Sequence, residues 1–150
     1  MYYSSYLFID CNGNEIYNYR RCSSGWKDEL TDHQIYKEGK ELGLFEYKGK
    51  IIAVGLCGDF WDSRFDYINK ISNVHKDIVI WPVYVDYLIA DWQIEEDAYA
   101  KQTKLFGERV LMINSICKNP RSYGGAFDFY KGKINQRLPY DYEGVLLIEI

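Results

Sequence analysis

The chain has 150 residues, a formal net charge of −4 and four cysteines. Its length fits one domain, its mild acidity argues against nucleic acid as a partner, and no apolar run reaches the ~18 residues of a membrane span. The aromatic content of 17%, carried mostly by 15 tyrosines, favours strands and half-buried surfaces. We therefore expect one β-rich or mixed domain with no membrane and no nucleic acid as partner.

The chain begins with the pattern of a β-hairpin. Residues 2–10 are rich in aromatic and branched side chains, and residues 15–21 read as the returning strand. Asn12-Gly13 between them supplies the positive φ values of a tight turn. The polar stretch 22–43 that follows is predicted to be mostly loop, with one short helical turn.

A second hairpin is predicted at residues 44–47 and 50–56. Its second arm, residues 51–56, is apolar without alternation, which is typical of a central strand buried on both faces. Residues 78–85 and 110–114 have the same apolar character. These three segments are the predicted centre of a covered sheet.

Two helices are predicted between these central strands. Residues 62–71 form the short one, with apolar side chains at spacings of three. Residues 89–106 form the long one, with three aromatic side chains a heptad apart, and Gly107 closes it. The apolar positions of this helix are Trp92, Ile94, Ala98, Tyr99, Leu105 and Phe106.

Three further strands, at residues 126–130, 133–138 and 145–150, complete the prediction. The elements then run as strands, next as strand, helix, strand, helix and strand, and finally as strands again. This order predicts a mixed α/β layered domain.

The cysteines do not form a metal-binding pattern. None lies in a C-x-x-C pair, and neither His33 nor His75 falls near a cysteine pair, so we expect no metal and no cofactor. The first residues lack the basic and apolar regions of a secretory signal. We therefore expect a cytoplasmic protein with free thiols, three of them buried structural residues.

Cys57 is the candidate nucleophile. It stands at the end of the predicted buried strand 51–56 and is followed by Gly58, where α/β folds bind their ligands. Backbone N–H groups just after it could point at an oxyanion. The same pattern also fits a structural cysteine that ends a core strand.

The order of segments along the whole chain matches one known family. A strand–turn–strand unit ends in Tyr19-Arg20-Arg21, and a later strand leads to Cys57 with an acidic residue, Asp59, two positions after it. The further matching segments are 77–82, 92–106, 110–114, 123–126, 132–134 and 143–147. In this order they resemble the C-terminal half of the carbon–nitrogen hydrolase (nitrilase/amidase) superfamily.

This resemblance implies a fold. Residues 1–150 would be a single carbon–nitrogen hydrolase-like domain that lacks the N-terminal half of the family domain. The expected architecture is part of an α-β-β-α sandwich, with a mixed sheet and helices on its outer face. The apolar strands would then need cover on both sides, so we expect a homo-oligomer or a complementing N-terminal half as partner.

The resemblance also implies site residues. In this family a glutamate takes the thiol proton, the thiolate attacks an amide or nitrile carbon, a lysine stabilises the oxyanion and water hydrolyses the thioester. Carried over, Cys57 is the nucleophile, Glu29 is the second glutamate, which positions the reacting groups, and Gly58 contributes a backbone N–H. Arg21 occupies the lysine position.

Two departures from the family pattern bear on activity. Arginine keeps the charge of lysine at position 21, but its planar fork does not place a point charge as an ammonium does. No residue matches the general base, and Arg64-Phe65 is a displaced remnant of the sequence expected after the nucleophile. Each residue also has a simpler interpretation. Glu29 would be a solvated loop carboxylate, and Arg21 would be a strand-end arginine paired with a carboxylate.

Three functions follow from these observations. The first is a carbon–nitrogen hydrolase that acts on a small non-peptide amide or nitrile through a cysteine thioester. The second is a catalytically impaired or truncated relative that acts as a binding or interaction module. The third, based on composition alone, is a tyrosine-rich interaction protein without catalytic ancestry.

Overall fold

The computed structural model describes residues 2–24, 26–27, 32–61 and 66–149. The strands, in chain order, are β1 (Tyr2–Tyr3), β2 (Ser5–Ile9), β3 (Glu15–Arg20), β4 (Tyr36–Lys37), β5 (Gly43–Tyr47), β6 (Lys50–Val54), β7 (Ile78–Val83), β8 (Arg109–Asn114), β9 (Ile116–Lys118), β10 (Arg121–Tyr123), β11 (Ala126–Tyr130) and β12 (Lys133–Leu138). The helices are α1 (Asp32–Ile35), α2 (Tyr67–Ser72) and α3 (Ile89–Thr103), and a 3₁₀ turn covers Cys57–Phe60. Within these ranges, no helix is long and apolar enough to cross a membrane.

Six strands form one mixed sheet in the order β12-β11-β8-β7-β6-β5. Strands β6, β7 and β8 are parallel, whereas the hairpins β5–β6 and β11–β12 and the pair β8–β11 are antiparallel. Each parallel step needs a crossover, and helices α2 and α3 lie in the two crossovers. The predicted mixed α/β class and the three central strands are confirmed, but β8 is fully buried on one face only, since Met112 is buried and Ile113 is 45% exposed.

Helix α3 covers one side of this sheet, which we call the helix face. Trp81, Met112 and Phe127 lie side by side across β7, β8 and β11 and define that face. From α3, Tyr99 stacks on Trp81 with ring centroids 5.6 Å apart, and Trp92 lies 6.1 Å from Phe127. All five side chains are buried, so this layer is a dense aromatic core.

The heptad prediction for the long helix is confirmed only for its aromatic positions. Trp92, Tyr99 and Phe106 are buried, and the helix ends at Thr103, before Phe106. Ile94 and Leu105, which were predicted beside them, are 74% and 53% exposed. The aromatic rings alone span the gap to the sheet, which leaves the smaller aliphatic side chains to solvent.

The opposite side of the sheet is partly covered by the first hairpin. Phe45, Ile52 and Ile78 lie in register across β5, β6 and β7 on this side. Phe8 of β2 and Tyr17 of β3 pack on Phe45, each with ring centroids 4.7 Å apart. The predicted first hairpin is therefore confirmed as strands, but it forms a separate two-stranded sheet that lies over the larger one.

Beyond the hairpin, this opposite side, which we call the tail face, carries Leu111, Ile113 and Asp128. Asp128 is fully buried and forms an ion pair with Arg109 at 3.1 Å. Arg109 also donates to the backbone oxygen of Glu149, which holds the C-terminal segment on this face. An apolar recess of about 500 Å³ remains between the segment and the sheet.

The predicted strand at residues 145–150 is wrong for the described residues 145–149, which have no regular secondary structure. The side chains alternate as a strand would: Val145 and Leu147 are 79% and 84% exposed, whereas Leu146 and Ile148 are half-buried. A strand also needs a partner for its backbone groups, and no described strand pairs with this segment.

The remaining differences concern short elements. The predicted helix at residues 62–71 begins at Tyr67 in the structure, and its predicted first residues, 62–65, lie outside the described residues. The small sheets β1–β4 and β9–β10 were not predicted. Strands of two or three residues are too short to show a periodic pattern.

Candidate functional site

Cys57 lies at the carboxyl edge of the parallel strands. Two residues separate it from the end of β6, and its φ of +43° is a left-handed value that non-glycine residues rarely adopt. Such strain persists only where surrounding contacts hold it, and it clusters at functional sites. One such contact is the Trp81 indole N–H, which donates to the Cys57 carbonyl at 3.0 Å.

Arg21, just after β3, reaches the same turn. Its Nε donates to Ser23 Oγ at 2.7 Å, and its guanidinium lies over the Trp26 ring at 5.5 Å. A Cβ added to Gly58 would come within 2.7 Å of the guanidinium Nη2. The positive charge is therefore packed against the bare backbone of Gly58, the residue after the candidate nucleophile.

Asp59 joins the two segments that carry Arg21 and Cys57. Its carboxylate, 1% exposed, accepts hydrogen bonds from backbone N–H groups on both segments and from the Tyr19 hydroxyl. The N–H donors are those of Leu56 at 2.7 Å, Cys22 at 3.1 Å and Ser23 at 2.7 Å. Sequence analysis noted Asp59 only for its spacing from Cys57, and that spacing was the available signal for its role.

The groups around Asp59 are held in their neutral forms. Burial, followed by the nearby Asp59 carboxylate, raises the pKa of Tyr19 far above its usual range. Burial also raises the pKa of Tyr67, whose hydroxyl donates to the Val54 carbonyl and accepts from the Gly43 N–H at 2.9 Å. The pKa of Cys22 is raised to about 11, chiefly by burial. The pair of hydroxyls therefore remains a set of hydrogen-bond donors at neutral pH.

The segment after β7 lies against the thiol. The Cys57 Sγ is 3.9 Å from the Tyr84 backbone oxygen. Asn114, at the end of β8, fixes this segment because its side chain bonds both the N–H and the C=O of Val85, at 2.9 and 3.1 Å. Its amide also donates to the Gly124 carbonyl at 3.0 Å. The resemblance included Asn114 only as a strand end, so its role as an anchor was missed.

Glu29 lies outside the described residues, so its predicted place beside Cys57 stays a prediction. In the part of the chain that the structure describes, the Cys57 thiol makes no hydrogen bond to a carboxylate or an imidazole. The N–H of Gly58 likewise has no hydrogen-bond partner among the described residues. No three described His, Cys, Asp or Glu side chains form a group that could hold a metal ion.

The turn thus offers a rigid half-buried thiol, a guanidinium beside the next residue and an N–H that is available to an anion. Such donors can stabilise an oxyanion that forms when a thiolate attacks a carbonyl or nitrile carbon. A group that would take the thiol proton is not found among the described residues around Cys57. The site is therefore suited to one part of an acyl-transfer reaction.

The sequence matches no family model and no curated protein, but the fold matches solved structures. A carbon–nitrogen hydrolase from Helicobacter pylori G27 has a TM-score of 0.71 at 14% identity, over 96% of this chain and 55% of that one. A mutant of the amidase from Nesterenkonia sp. AN1 has a TM-score of 0.67 at 12% identity, over 87% and 50%. The glutamine-dependent NAD+ synthetase from Acinetobacter baumannii has 0.68 at 16%, over 93% and 29%.

These similarities are at the level of the fold, since all three identities are below 20%. The chain spans about half the length of the hydrolase and the amidase, and less than a third of the synthetase. The resemblance predicted from the order of segments is therefore confirmed. Over nearly its whole length, this chain has the fold of part of the solved carbon–nitrogen hydrolase (nitrilase) superfamily structures.

Proposed function

We propose that this chain is a carbon–nitrogen hydrolase-like protein whose chemistry is the thiol-mediated hydrolysis of a small non-peptide amide or nitrile. The single observation that carries the proposal is the Cys57 turn. Cys57 has a left-handed backbone and a half-buried thiol, and the Arg21 guanidinium packs against the next residue, Gly58. The amidase from Nesterenkonia supports it by analogy, since that enzyme carries acrylamide added to its active-site cysteine.

The proposed roles follow from the chemistry of each group. The Cys57 thiolate attacks the amide or nitrile carbon, and the electron pair of the C=O or C≡N bond moves onto the heteroatom. Arg21 and the Gly58 N–H stabilise that negative charge, and Glu29 positions the reacting groups. From an amide, the tetrahedral adduct expels ammonia or an amine, which takes up a proton; from a nitrile, one water first adds to the thioimidate and ammonia then leaves. A further water hydrolyses the resulting thioester to the acid and the free thiol.

The proposal requires a base and a second layer that the described residues do not supply. We place both in a partner, either a second copy of this chain or a chain that carries a complementing N-terminal half. The reaction would take place in the cytoplasm, where thiols stay reduced, consistent with the four free cysteines.

The second candidate is a catalytically impaired relative that acts as a binding module. One observation favours it. The carboxylate of Asp59, two residues after Cys57, accepts four hydrogen bonds. A carboxylate held in this way cannot approach the thiol. The two candidates share the fold and differ in whether Cys57 catalyses hydrolysis of a substrate.

The test compares the four thiols of the full chain. We would incubate it with acrylamide and follow each cysteine by peptide mass spectrometry, with exposed Cys11 as the unactivated reference. We expect Cys57 to react faster than Cys11 although it is less exposed, and we expect Arg21→Ala to slow Cys57 alone. Cys117→Ala, which removes another half-buried thiol, should leave the rate at Cys57 unchanged.

Turnover separates the two candidates. Ammonia released from butyramide, and absent for Cys57→Ala, supports the hydrolase. Selective labelling of Cys57 without any ammonia release, also in the presence of a complementing half, supports the impaired relative. A Cys57 that reacts no faster than Cys11 contradicts a specialised thiol site altogether.

A further inference from the structure

A second concave site lies behind the Cys57 turn, on the outer side of the helix face. It is a recess of about 480 Å³ that does not include Cys57 or Arg21 in its lining. The residues that line it are Trp61, Tyr87, Glu95, Ala98, Tyr99 and Gln102. Three of the six are aromatic and one is acidic; Trp61 and Tyr87 lie outside helix α3, and the other four lie on it.

The aromatic rings are held in place by the core. Tyr99 is buried and meets Trp61 edge-on, with ring centroids 5.2 Å apart at 72°. Tyr87 packs against buried Trp92 at 5.5 Å. Because Trp61 is 47% and Tyr87 37% exposed, part of each ring remains accessible to a ligand in the recess.

Among the described residues that line the recess, Glu95 is the only acidic one. It is half-buried, and it forms no hydrogen bond or ion pair with any described residue. Its neighbour Glu96 is different, because it accepts from Arg137 at 2.8 Å and from the Tyr140 hydroxyl at 2.7 Å.

The Glu95 carboxylate contributes a negative charge to the recess. The pKa of Tyr99 is raised first by burial, then by Tyr87, Cys57 and Glu95. Glu95 stands four residues before Tyr99 on α3, so the two side chains are neighbours on one face of the helix. The recess combines this negative charge with the electron-rich faces of aromatic rings, and both attract a positive charge.

We infer that the recess binds a small organic cation through its ammonium group, with Trp61 and Tyr87 against the N-alkyl groups and Glu95 as the counter-charge. Aromatic rings with an adjacent carboxylate suit a methylated ammonium, which has low hydration and contacts π faces well. This chemistry occurs in free quaternary amines and in methylated lysine side chains. The inference does not depend on hydrolysis at Cys57.

The test uses choline and its neutral isostere, 3,3-dimethylbutanol, with the full chain. In NMR titrations the N-methyl protons of choline should shift upfield, because they lie over aromatic rings, whereas the isostere should bind at least tenfold more weakly. A trimethyl-lysine peptide forms the second arm, and its affinity relative to choline identifies the source of the cation.

Two variants locate the binding. Glu95→Gln and Trp61→Ala should each weaken choline binding about tenfold, and Glu95→Gln is the cleaner of the two because the Trp61 ring also packs on Trp81 at 5.7 Å. Asp97→Asn, an exposed acid on the same helix outside the recess, is the matched control and should bind choline as the parent does. Thermal unfolding would verify that each variant is folded.

The inference is overturned if the neutral isostere binds as well as choline, or if Glu95→Gln binds as well as the parent. It is also overturned if a folded Trp61→Ala keeps both the affinity and the upfield shift. Failure of butyramide turnover would contradict the hydrolase proposal and leave these outcomes unaffected, since none of them uses Cys57.

Discussion

The two faces of the six-stranded sheet are built very differently. The helix face is covered by α3 and carries side chains such as Met112 and Phe127 that are almost completely buried. The tail face is covered by a separate hairpin and by a segment without regular structure, and it leaves Ile113 45% and Leu147 84% exposed. Both faces are apolar, but only one has a continuous layer over it.

This contrast shows which face of the sheet is covered by the chain's own elements. A parallel sheet needs cover on both faces, and here the aromatic residues of α3 provide the first layer from within the chain. For the second layer the described residues provide only a hairpin and an extended segment. The solved structures with this fold are about twice as long as the matched region or longer.

The largest predicted effect compares two neighbours on β8 that face opposite ways. Met112 is fully buried on the helix face, so Met112→Ala should lower the free energy of unfolding by about 2–5 kcal/mol. Ile113→Ala on the tail face should cost about 1 kcal/mol, because Ile113 is already half-exposed. Urea unfolding measures both. Equal losses would mean that the tail face is as tightly packed as the helix face.

The second prediction concerns the stability contributed by Asp59, which lies in the Cys57 turn at the carboxyl edge of the sheet. Asp59→Asn halves the acceptor capacity and puts an NH₂ group among N–H donors, so the free energy of unfolding should fall by about 2–3 kcal/mol. Acrylamide labelling of Cys57 should slow as well, because the variant loosens Arg21 from the turn. The exposed Asp97→Asn should change neither quantity. Unchanged stability of Asp59→Asn would show that these hydrogen bonds do not hold the site.

A third prediction concerns alkaline pH. The folded pKa of Cys22 is about 11, above the value of 9.0 for an unperturbed thiol. As the pH rises, the unfolded chain loses this proton first. The stabilisation from the neutral Cys22 thiol is therefore complete below pH 9 and is lost between pH 9 and pH 11. The free energy of unfolding falls by on the order of 2 kcal/mol over that range. Cys22→Ala should lose stability less steeply than the parent from pH 9 to 10, because the buried tyrosines with raised pKa values contribute equally to the slope of both proteins. An equal slope in the two proteins over that unit would refute the assignment to Cys22.

The smallest effect is on association. If the tail face takes up a second layer, the chain should self-associate at micromolar concentration, and Val145→Glu with Leu147→Glu should weaken this about tenfold or more in sedimentation. Ile94→Glu, at an equally exposed apolar position on α3, is the control and should have no effect. A monomeric parent chain that binds no apolar-surface dye would show that the tail face is complete as it stands.

Much of the architecture could be predicted from the sequence because it depends on local patterns. The unbroken apolar run of residues 51–56 identified a central strand, and Lys48-Gly49 marked the turn of its hairpin, where both residues have positive φ. The position of Cys57 after a strand was also determined locally. The order of such segments was enough to indicate the nitrilase-type fold, although no family model matches the sequence.

Which of these segments pair with a strand or pack against the sheet depends on the tertiary structure. Residues 145–149 alternate like a strand but have no described neighbour to pair with, and Ile94 lies exposed because the aromatic side chains of α3 already fill the space to the sheet. Likewise, the contact between Arg21 and Gly58 joins residues 37 positions apart, held by Asp59. Pairing and charge placement depend on atoms that are distant in sequence, so no local pattern contains them.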